Sequence, residues 1–182
     1  MSTIVDLRPR EVRDAATLAE DRFGTVKDED GDWVDGYTND GLRDHYIGTL
    51  SEMAFAKYYC VQMDAEIYRR KDCGVDFRVR IDNEDFDNEI IDVDVKGSAV
   101  EDPELQIEEG TVTADYYVLC RFPEGLPEKE NHGTVEIVGG ATDKMILRQD
   151  LRPSLQSDHN NYHFQAKYLR DLPGPGEVQP VE

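Results

Sequence analysis

Charged and apolar residues alternate along two neighbouring segments of this chain. The second segment reads Ile91-Asp92-Val93-Asp94-Val95-Lys96, and the first, 75–81, carries aspartate or arginine at every second position. Because side chains of an extended strand point alternately to its two faces, Asp94 and Lys96 are expected on one charged face, with valine and isoleucine on the other. The pattern predicts two strands, each with one buried face.

The segment between these strands predicts how they pair. Residues 82–88 are rich in Asp and Asn, which favour turns because their side chains bond nearby backbone groups. A hairpin that is symmetric about Asp85 places Asp76 opposite Asp94. Directly opposed residues have Cβ atoms about 5 Å apart, and like charges at that separation repel each other.

The same register predicts a site for a cation. Arg78 lies opposite Asp92 and can neutralise it, whereas Asp76 and Asp94 face each other without such a partner. A hard divalent cation, Mg²⁺ or Mn²⁺, would relieve the repulsion and leave coordination positions for phosphate oxygens and water. Lys96 would stand beside that ion. These residue types suit the hydrolysis of a phosphodiester bond.

Helices and further strands are expected around this hairpin. Apolar stripes predict helices at 10–23 and 42–61, and Glu52 lies at the edge of the second stripe, where a carboxylate can reach the sheet. The remaining predicted elements are strands at 105–107, 114–122 and 134–138, the last ended by Gly139-Gly140, and a helix over 143–151 capped by Thr142.

The four charged residues resemble the active-site motif of the PD-(D/E)xK phosphodiesterases, the restriction-endonuclease-like superfamily. In that family a helix glutamate, a strand aspartate and a (D/E)-x-K tripeptide on the following strand form the site. Here they correspond to Glu52, Asp76, and Asp94 with Lys96, in the same order. Val75 stands where the family name has proline, and no crossover helix is evident after the tripeptide.

The resemblance implies a fold and a set of roles. The implied fold is an α/β sandwich in which a central mixed β-sheet is flanked by helices. Asp76 and Asp94, with the backbone carbonyl of Val95, would bind Mg²⁺ or Mn²⁺, and Glu52 would hold the ion or a water on it. Lys96 would orient and help deprotonate the attacking water. The implied activity is metal-dependent cleavage that leaves a 5′-phosphate, with DNA as the expected substrate and a homodimer as a possible assembly.

The composition is strongly acidic. The chain has 40 acidic and 20 basic residues, seven of them lysines, a net charge of -20 and a mean hydropathy of -0.65. Such a charge opposes nucleic-acid binding at ordinary ionic strength. It is spread along the whole chain, however, and in molar salt the Debye length falls to about 3 Å, so it repels DNA little beyond contact. Acidic residues with few lysines indicate a halophilic archaeon or its virus as the source.

Two other interpretations remain open. In the first, the charged strand face is solvated and Lys96 simply pairs with a neighbouring carboxylate. In the second, the chain is a non-catalytic nuclease-fold binding or assembly protein, or an acidic mimic of DNA. A mimic has no use for Lys96 within the acidic cluster, so the nuclease is the favoured hypothesis.

Length and terminal composition predict the domain organisation. The 182 residues suit a single domain over 1–172, with a core at about 42–151, and 173–182, which contains three prolines, is expected to be disordered. Neither an apolar stretch of about 18 residues nor a signal-peptide pattern is present. We therefore expect no membrane association and a cytoplasmic location.

Overall fold

The computed structural model describes residues 2–25, 39–63, 74–82, 89–153 and 159–181. Within these ranges the chain forms nine strands, three helices and one short 3-10 turn, Ala166–Tyr168. In chain order they are β1 Thr3–Leu7, α1 Pro9–Thr25, α2 Asn39–Tyr59, β2 Phe77–Ile81, β3 Glu89–Ser98, β4 Glu104–Glu108, β5 Tyr116–Arg121, β6 Gly133–Thr142, α3 Asp143–Ile146, β7 Leu151–Pro153, β8 Asn160–Gln165 and β9 Val178–Pro180.

Six strands form one mixed sheet, called here the main sheet, in the order β1-β6-β5-β3-β2-β9. Strands β3 and β5 pair in parallel, and the other neighbours in this sheet pair antiparallel. A second, antiparallel sheet of β4, β8 and β7 is called here the small sheet. The connection from β3 to β5 passes through β4 of the small sheet and contains no helix. The mixed α/β class and the mixed central sheet are therefore as predicted.

Both faces of the main sheet are buried. Helices α1 and α2 cover one face, where the core includes Leu7, Leu50, Val93, Val95 and Val118. The small sheet and α3 cover the other face, with Leu105, Ile107, Tyr117, Leu119 and Phe164 among the buried residues. On this second face the short α3 is the only flanking helix among the described elements, and the strands of the small sheet cover the rest. Strand β4 on this face alternates polar and buried apolar residues with the two-residue period of a strand. This segment therefore pairs with β8 and does not form a helix.

The predicted pairing of β2 with β3 is confirmed. Phe77 lies opposite Val93 and Arg78 lies opposite Asp92, which is the register expected for a hairpin centred on Asp85. The expected turn itself, over 83–88, lies outside the described residues. The two long helices are also confirmed, with bounds within a few residues of the predicted ones.

Residues 173–181 are described and include strand β9, which corrects the expected disorder of this segment. Strand β9 pairs antiparallel with β2, with Ile81 opposite Val178, and Val178 is buried in the core. The hydroxyl of Tyr59 donates a hydrogen bond of 2.9 Å to the carbonyl of Pro173 and ties the segment to α2. Prolines are compatible with this strand because β9 lies at the edge of the sheet.

Three further boundaries differ from the predictions. Strand β1 was not expected. Strand β6 continues through Gly139-Gly140, which pair with Leu119 and Val118 of β5, and the backbone of Gly140 also exchanges two hydrogen bonds with Arg170. Thr142 caps α3 as predicted, accepting a bond of 3.3 Å from the Met145 N–H. The helix ends early, however, because residues from Leu151 onward pair with β8 as β7. None of the described helices has the length and apolar composition needed to cross a membrane.

Candidate functional site

Asp76 lies immediately before β2 and is held against β3 at both its backbone and its side chain. Its N–H donates to the carbonyl of Val93 at 2.9 Å, and its Oδ2 accepts a hydrogen bond of 2.7 Å from the N–H of Val95. Among the described residues, none forms an ion pair with this carboxylate. The backbone therefore fixes Asp76 in place without neutralising it.

The surroundings of Asp76 disfavour its ionised form. Burial raises the pKa of Asp76, and the charges of Glu52 and Asp94 raise it further. The Val95 N–H and the Lys96 ammonium oppose this only in part, so the pKa lies well above its ordinary value of 3.8. The other three residues predicted to form the site, Glu52, Asp94 and Lys96, are thus close enough to influence the carboxylate of Asp76.

Asp94 and Lys96 form an ion pair at the surface of the cluster. Lys96 Nζ lies 2.8 Å from Asp94 Oδ2, and 42% of the Lys96 side chain is exposed against 4% for Asp94. Burial lowers the pKa of Lys96, but Asp94 and Asp76 outweigh it and the net pKa is raised. The interpretation of a solvated face is therefore wrong for Asp94, although its pairing with Lys96 is confirmed.

Glu52 lies in the middle of α2 and is buried, with a side chain only 9% exposed. Arg22 of α1 places Nη1 2.8 Å from Oε1 and 2.9 Å from Oε2 of this carboxylate. The predicted position at the edge of the apolar stripe explains the burial, since Leu50 and Ala54 on the same helix are fully buried. The contact with Arg22 joins residues 30 positions apart and was not predicted.

Two glycines give the backbone its path through the site. A Cβ on Gly97 would lie 2.6 Å from the side chain and 2.9 Å from the carbonyl oxygen of Ile47, so α2 can approach β3 this closely only at glycine. Gly74 has φ +69°, a conformation that glycine adopts at little cost, and turns the chain into Asp76. Both glycines flank residues of the predicted motif, which is the sequence signal for their role.

Tyr117 is a neighbour of the site that the sequence analysis did not single out. It is fully buried on β5, directly opposite Asp94 in the parallel register. Its hydroxyl oxygen accepts hydrogen bonds from the N–H groups of Thr113 and Ala114 at 2.8 and 3.1 Å. Burial raises the pKa of Tyr117, the two backbone bonds and Lys96 oppose the rise, and Asp94 adds to it. The neutral phenol thus lies beside the Asp94–Lys96 pair, on the strand that neighbours β3.

Counted over the described residues alone, the site has one excess negative charge when all its groups are ionised. Three carboxylates are balanced by two cations, Lys96 on Asp94 and Arg22 on Glu52. Arg78, the arginine nearest to Asp76 along the chain, contacts both oxygens of Asp92 at 2.7 and 3.0 Å instead. In the part of the chain that the structure describes, no three His, Cys, Asp or Glu side chains form a preassembled metal cluster.

Comparison with protein-family models, with curated proteins and with solved structures finds no match to this chain. The geometry of the site is therefore the basis for any functional assignment.

Proposed function

We propose that this protein is a divalent-metal-dependent nuclease with a restriction-endonuclease-like fold, acting on DNA. The observation that carries the proposal is the state of Asp76. A partly buried carboxylate that forms no ion pair within the described part of the chain and lies near two other carboxylates costs free energy in the metal-free protein, and a bound cation would remove that cost. Strongly perturbed carboxylates of this kind concentrate at functional sites.

The residues present fit a hard divalent cation. Asp76 and Asp94 would supply carboxylate oxygens, the backbone of Val95 a carbonyl oxygen and Glu52 a further carboxylate, and Mg²⁺ and Mn²⁺ prefer such oxygen ligands. When bound, the cation polarises a phosphate oxygen and lowers the pKa of bound water. The excess negative charge of the site favours its binding.

Lys96 would act as a charged group. Its raised pKa keeps the ammonium protonated at neutral pH, and its half-exposed side chain can reach both Asp94 and a ligand outside the protein. An ammonium in this position would orient the attacking water and offset the negative charge that grows on the phosphate. This favours electrostatic stabilisation over proton abstraction by Lys96.

The acidic composition supports an enzyme that works in high salt. With 40 acidic and 20 basic residues, the surface repels DNA at low ionic strength, and molar salt removes most of this repulsion. We accordingly place the enzyme in the cytoplasm of a halophilic archaeon or of a cell infected by its virus, with a homodimer as a possible assembly.

A second candidate is a non-catalytic binding or assembly protein, or an acidic mimic of DNA. The net charge of -20 favours it, because a surface of carboxylates can replace a row of phosphates in a partner's binding site. This candidate makes no use of the ion pair between Lys96 and Asp94. Metal binding and cleavage therefore distinguish the two candidates.

The test compares wild type with Asp94→Asn and Lys96→Ala in molar KCl. Calorimetry measures Mn²⁺ binding, and gels measure the cleavage of duplex, branched and single-stranded DNA with Mg²⁺ or Mn²⁺. Asp94→Asn removes a ligand charge and should weaken binding and cleavage together. Lys96→Ala should leave Mn²⁺ binding largely intact and lower cleavage by about 10² to 10⁴ fold, the range for losing a general acid-base or charge-stabilising group.

Asp92→Asn is the matched control. Asp92 lies two residues before Asp94 on the same strand, but its partner is the exposed Arg78, so its loss should change neither measurement. If wild type binds no Mn²⁺ and cuts none of these substrates, the nuclease is refuted and the binding protein is favoured.

A further inference from the structure

The carboxylate of Glu52 is engaged by Arg22, a cation from outside the motif. A single guanidinium nitrogen of Arg22 contacts both of its oxygens, at 2.8 and 2.9 Å. The side chains are 22% and 9% exposed, so water screens this pair only weakly. The charge of Glu52 nevertheless raises the pKa of Asp76, so Glu52 lies close to the proposed metal ligands.

This contact opposes the binding of a cation in two ways. The carboxylate oxygens that would face a metal ion already accept hydrogen bonds from Arg22. The positive charge of the guanidinium also repels a divalent cation, and at an effective dielectric constant of about 20 such repulsion across several ångströms amounts to a few kcal/mol. A metal that is to use Glu52 as a ligand has to compete with Arg22 for this carboxylate.

We propose that Arg22 is a positioning residue that holds Glu52 in the metal-free protein and sets the affinity of the acidic cluster for a divalent cation. The inference rests on the proposed metal site. Arg22 stabilises the protein while the site is empty of metal, since it neutralises a buried carboxylate beside Asp76. The same contact weakens metal binding, because the entering cation competes with it for Glu52.

The test is a calorimetric Mn²⁺ titration of wild type and Arg22→Met in molar KCl. Removing one opposing charge should tighten Mn²⁺ binding at least about tenfold, whereas a purely structural role for Arg22 would leave the affinity unchanged or weaken it. Arg22→Lys retains the charge and should stay within about threefold of wild type. If Arg22→Met does not fold, Arg22→Gln, which keeps amide donors near Glu52, takes its place.

A double-mutant cycle shows whether the effect acts through Glu52. In the Glu52→Gln background, Arg22→Met should tighten Mn²⁺ binding by clearly less than in wild type, because the competed ligand is gone. Arg121→Met is the matched control. Arg121 of β5 forms a similar arginine-glutamate pair with Glu136 of β6, at 2.7 Å. The loss of Arg121 should not change the affinity for Mn²⁺.

The possible outcomes separate this inference from the proposed function. Binding by Arg22→Met but not by wild type supports the inference in its strongest form. Equal or weaker binding by Arg22→Met than by wild type overturns the inference and leaves the metal site standing. Absence of binding in wild type and in every variant overturns both.

Discussion

Replacing Asp76 with asparagine should stabilise the metal-free protein. The carboxylate is partly buried, carries no ion pair among the described residues and stands near two like charges, and Lys96 offsets only part of the repulsion. Asparagine keeps an oxygen that can accept the 2.7 Å hydrogen bond from the Val95 N–H. Asp76→Asn thus removes the charge and leaves the anchoring contact in place.

The size of the effect follows from the charges at the site. Two unit charges about 5 Å apart interact by about 3 kcal/mol at an effective dielectric constant of about 20. Lys96 and Arg22 offset part of the repulsion by the two carboxylates, and the cost of removing the Asp76 charge from water adds to what remains, which together leave about 3 kcal/mol against the ionised form. The hydrogen bond to a neutral acceptor is weaker by about 1 kcal/mol. Asp76→Asn should therefore raise the free energy of unfolding by about 2 kcal/mol, or Tm by about 4 to 8 °C for a chain of this size.

The gain in stability from Asp76→Asn should depend on pH. Because the folded-state pKa of Asp76 lies above 3.8, the folded protein binds a proton that the unfolded chain has released, and wild-type stability falls as pH rises between these two pKa values. The advantage of Asp76→Asn should be complete above the raised pKa and shrink as pH falls through it. Thermal melts in EDTA at constant KCl, from about pH 8 down to about pH 5, measure this.

Metal should reverse the order of stability. Saturating Mn²⁺ should raise the Tm of wild type, since it binds only the folded state, and should leave the Tm of Asp76→Asn nearly unchanged. Asp92→Asn, whose partner is exposed, serves as the control and should respond to Mn²⁺ as wild type does. An Asp76→Asn protein that is less stable than wild type in EDTA at pH 8 would refute the reasoning, because the ionised carboxylate would then be favourable in the fold.

Three further predictions concern the fold. Gly97→Ala on β3 should lower the free energy of unfolding by about 1 to 3 kcal/mol through overpacking against Ile47 of α2. Gly48→Ala, in open space on α2, should raise the free energy of unfolding by about 0.5 to 1 kcal/mol. Urea unfolding checks both, and equal effects would contradict the close approach of α2 to Gly97. A chain that ends at Gly176 should lose at least about 2 kcal/mol, because it lacks β9 and the buried Val178, and unchanged unfolding would show that β9 adds nothing. Wild-type Tm should rise from low salt to molar KCl as self-repulsion is screened, and a flat or falling Tm would argue against halophilic adaptation.

Local patterns were enough to predict the hairpin and its register. The alternation in β2 and β3 sets which face is buried, and a slip by one residue would turn Val93 toward the charged side and Asp94 toward the helices. The opposition of Arg78 and Asp92 follows from the same constraint. The position of Glu52 could likewise be read from the apolar spacing of its own helix.

Contacts between distant parts of the chain could not be predicted in this way. The pairing of Arg22 with Glu52 depends on how α1 crosses α2, which neither helix encodes in its own periodicity. The order of β9 depends on its pairing with the edge of β2, whereas the prolines around it favoured disorder when only the local sequence was considered. The local sequence around Tyr117 predicts only an aromatic residue in a strand. Its position beside Asp94 follows from the parallel pairing of β3 with β5.

The most direct test of the central claim is to locate a metal ion in crystals grown with Mn²⁺. An anomalous difference map should show a peak about 2.2 Å from carboxylate oxygens of both Asp76 and Asp94, a distance usual for such ions with oxygen ligands. Glu52 should then have left Arg22. A map without a peak at this position, with Asp94 still paired to Lys96 and Asp76 still bonded to Val95 alone, would contradict the account.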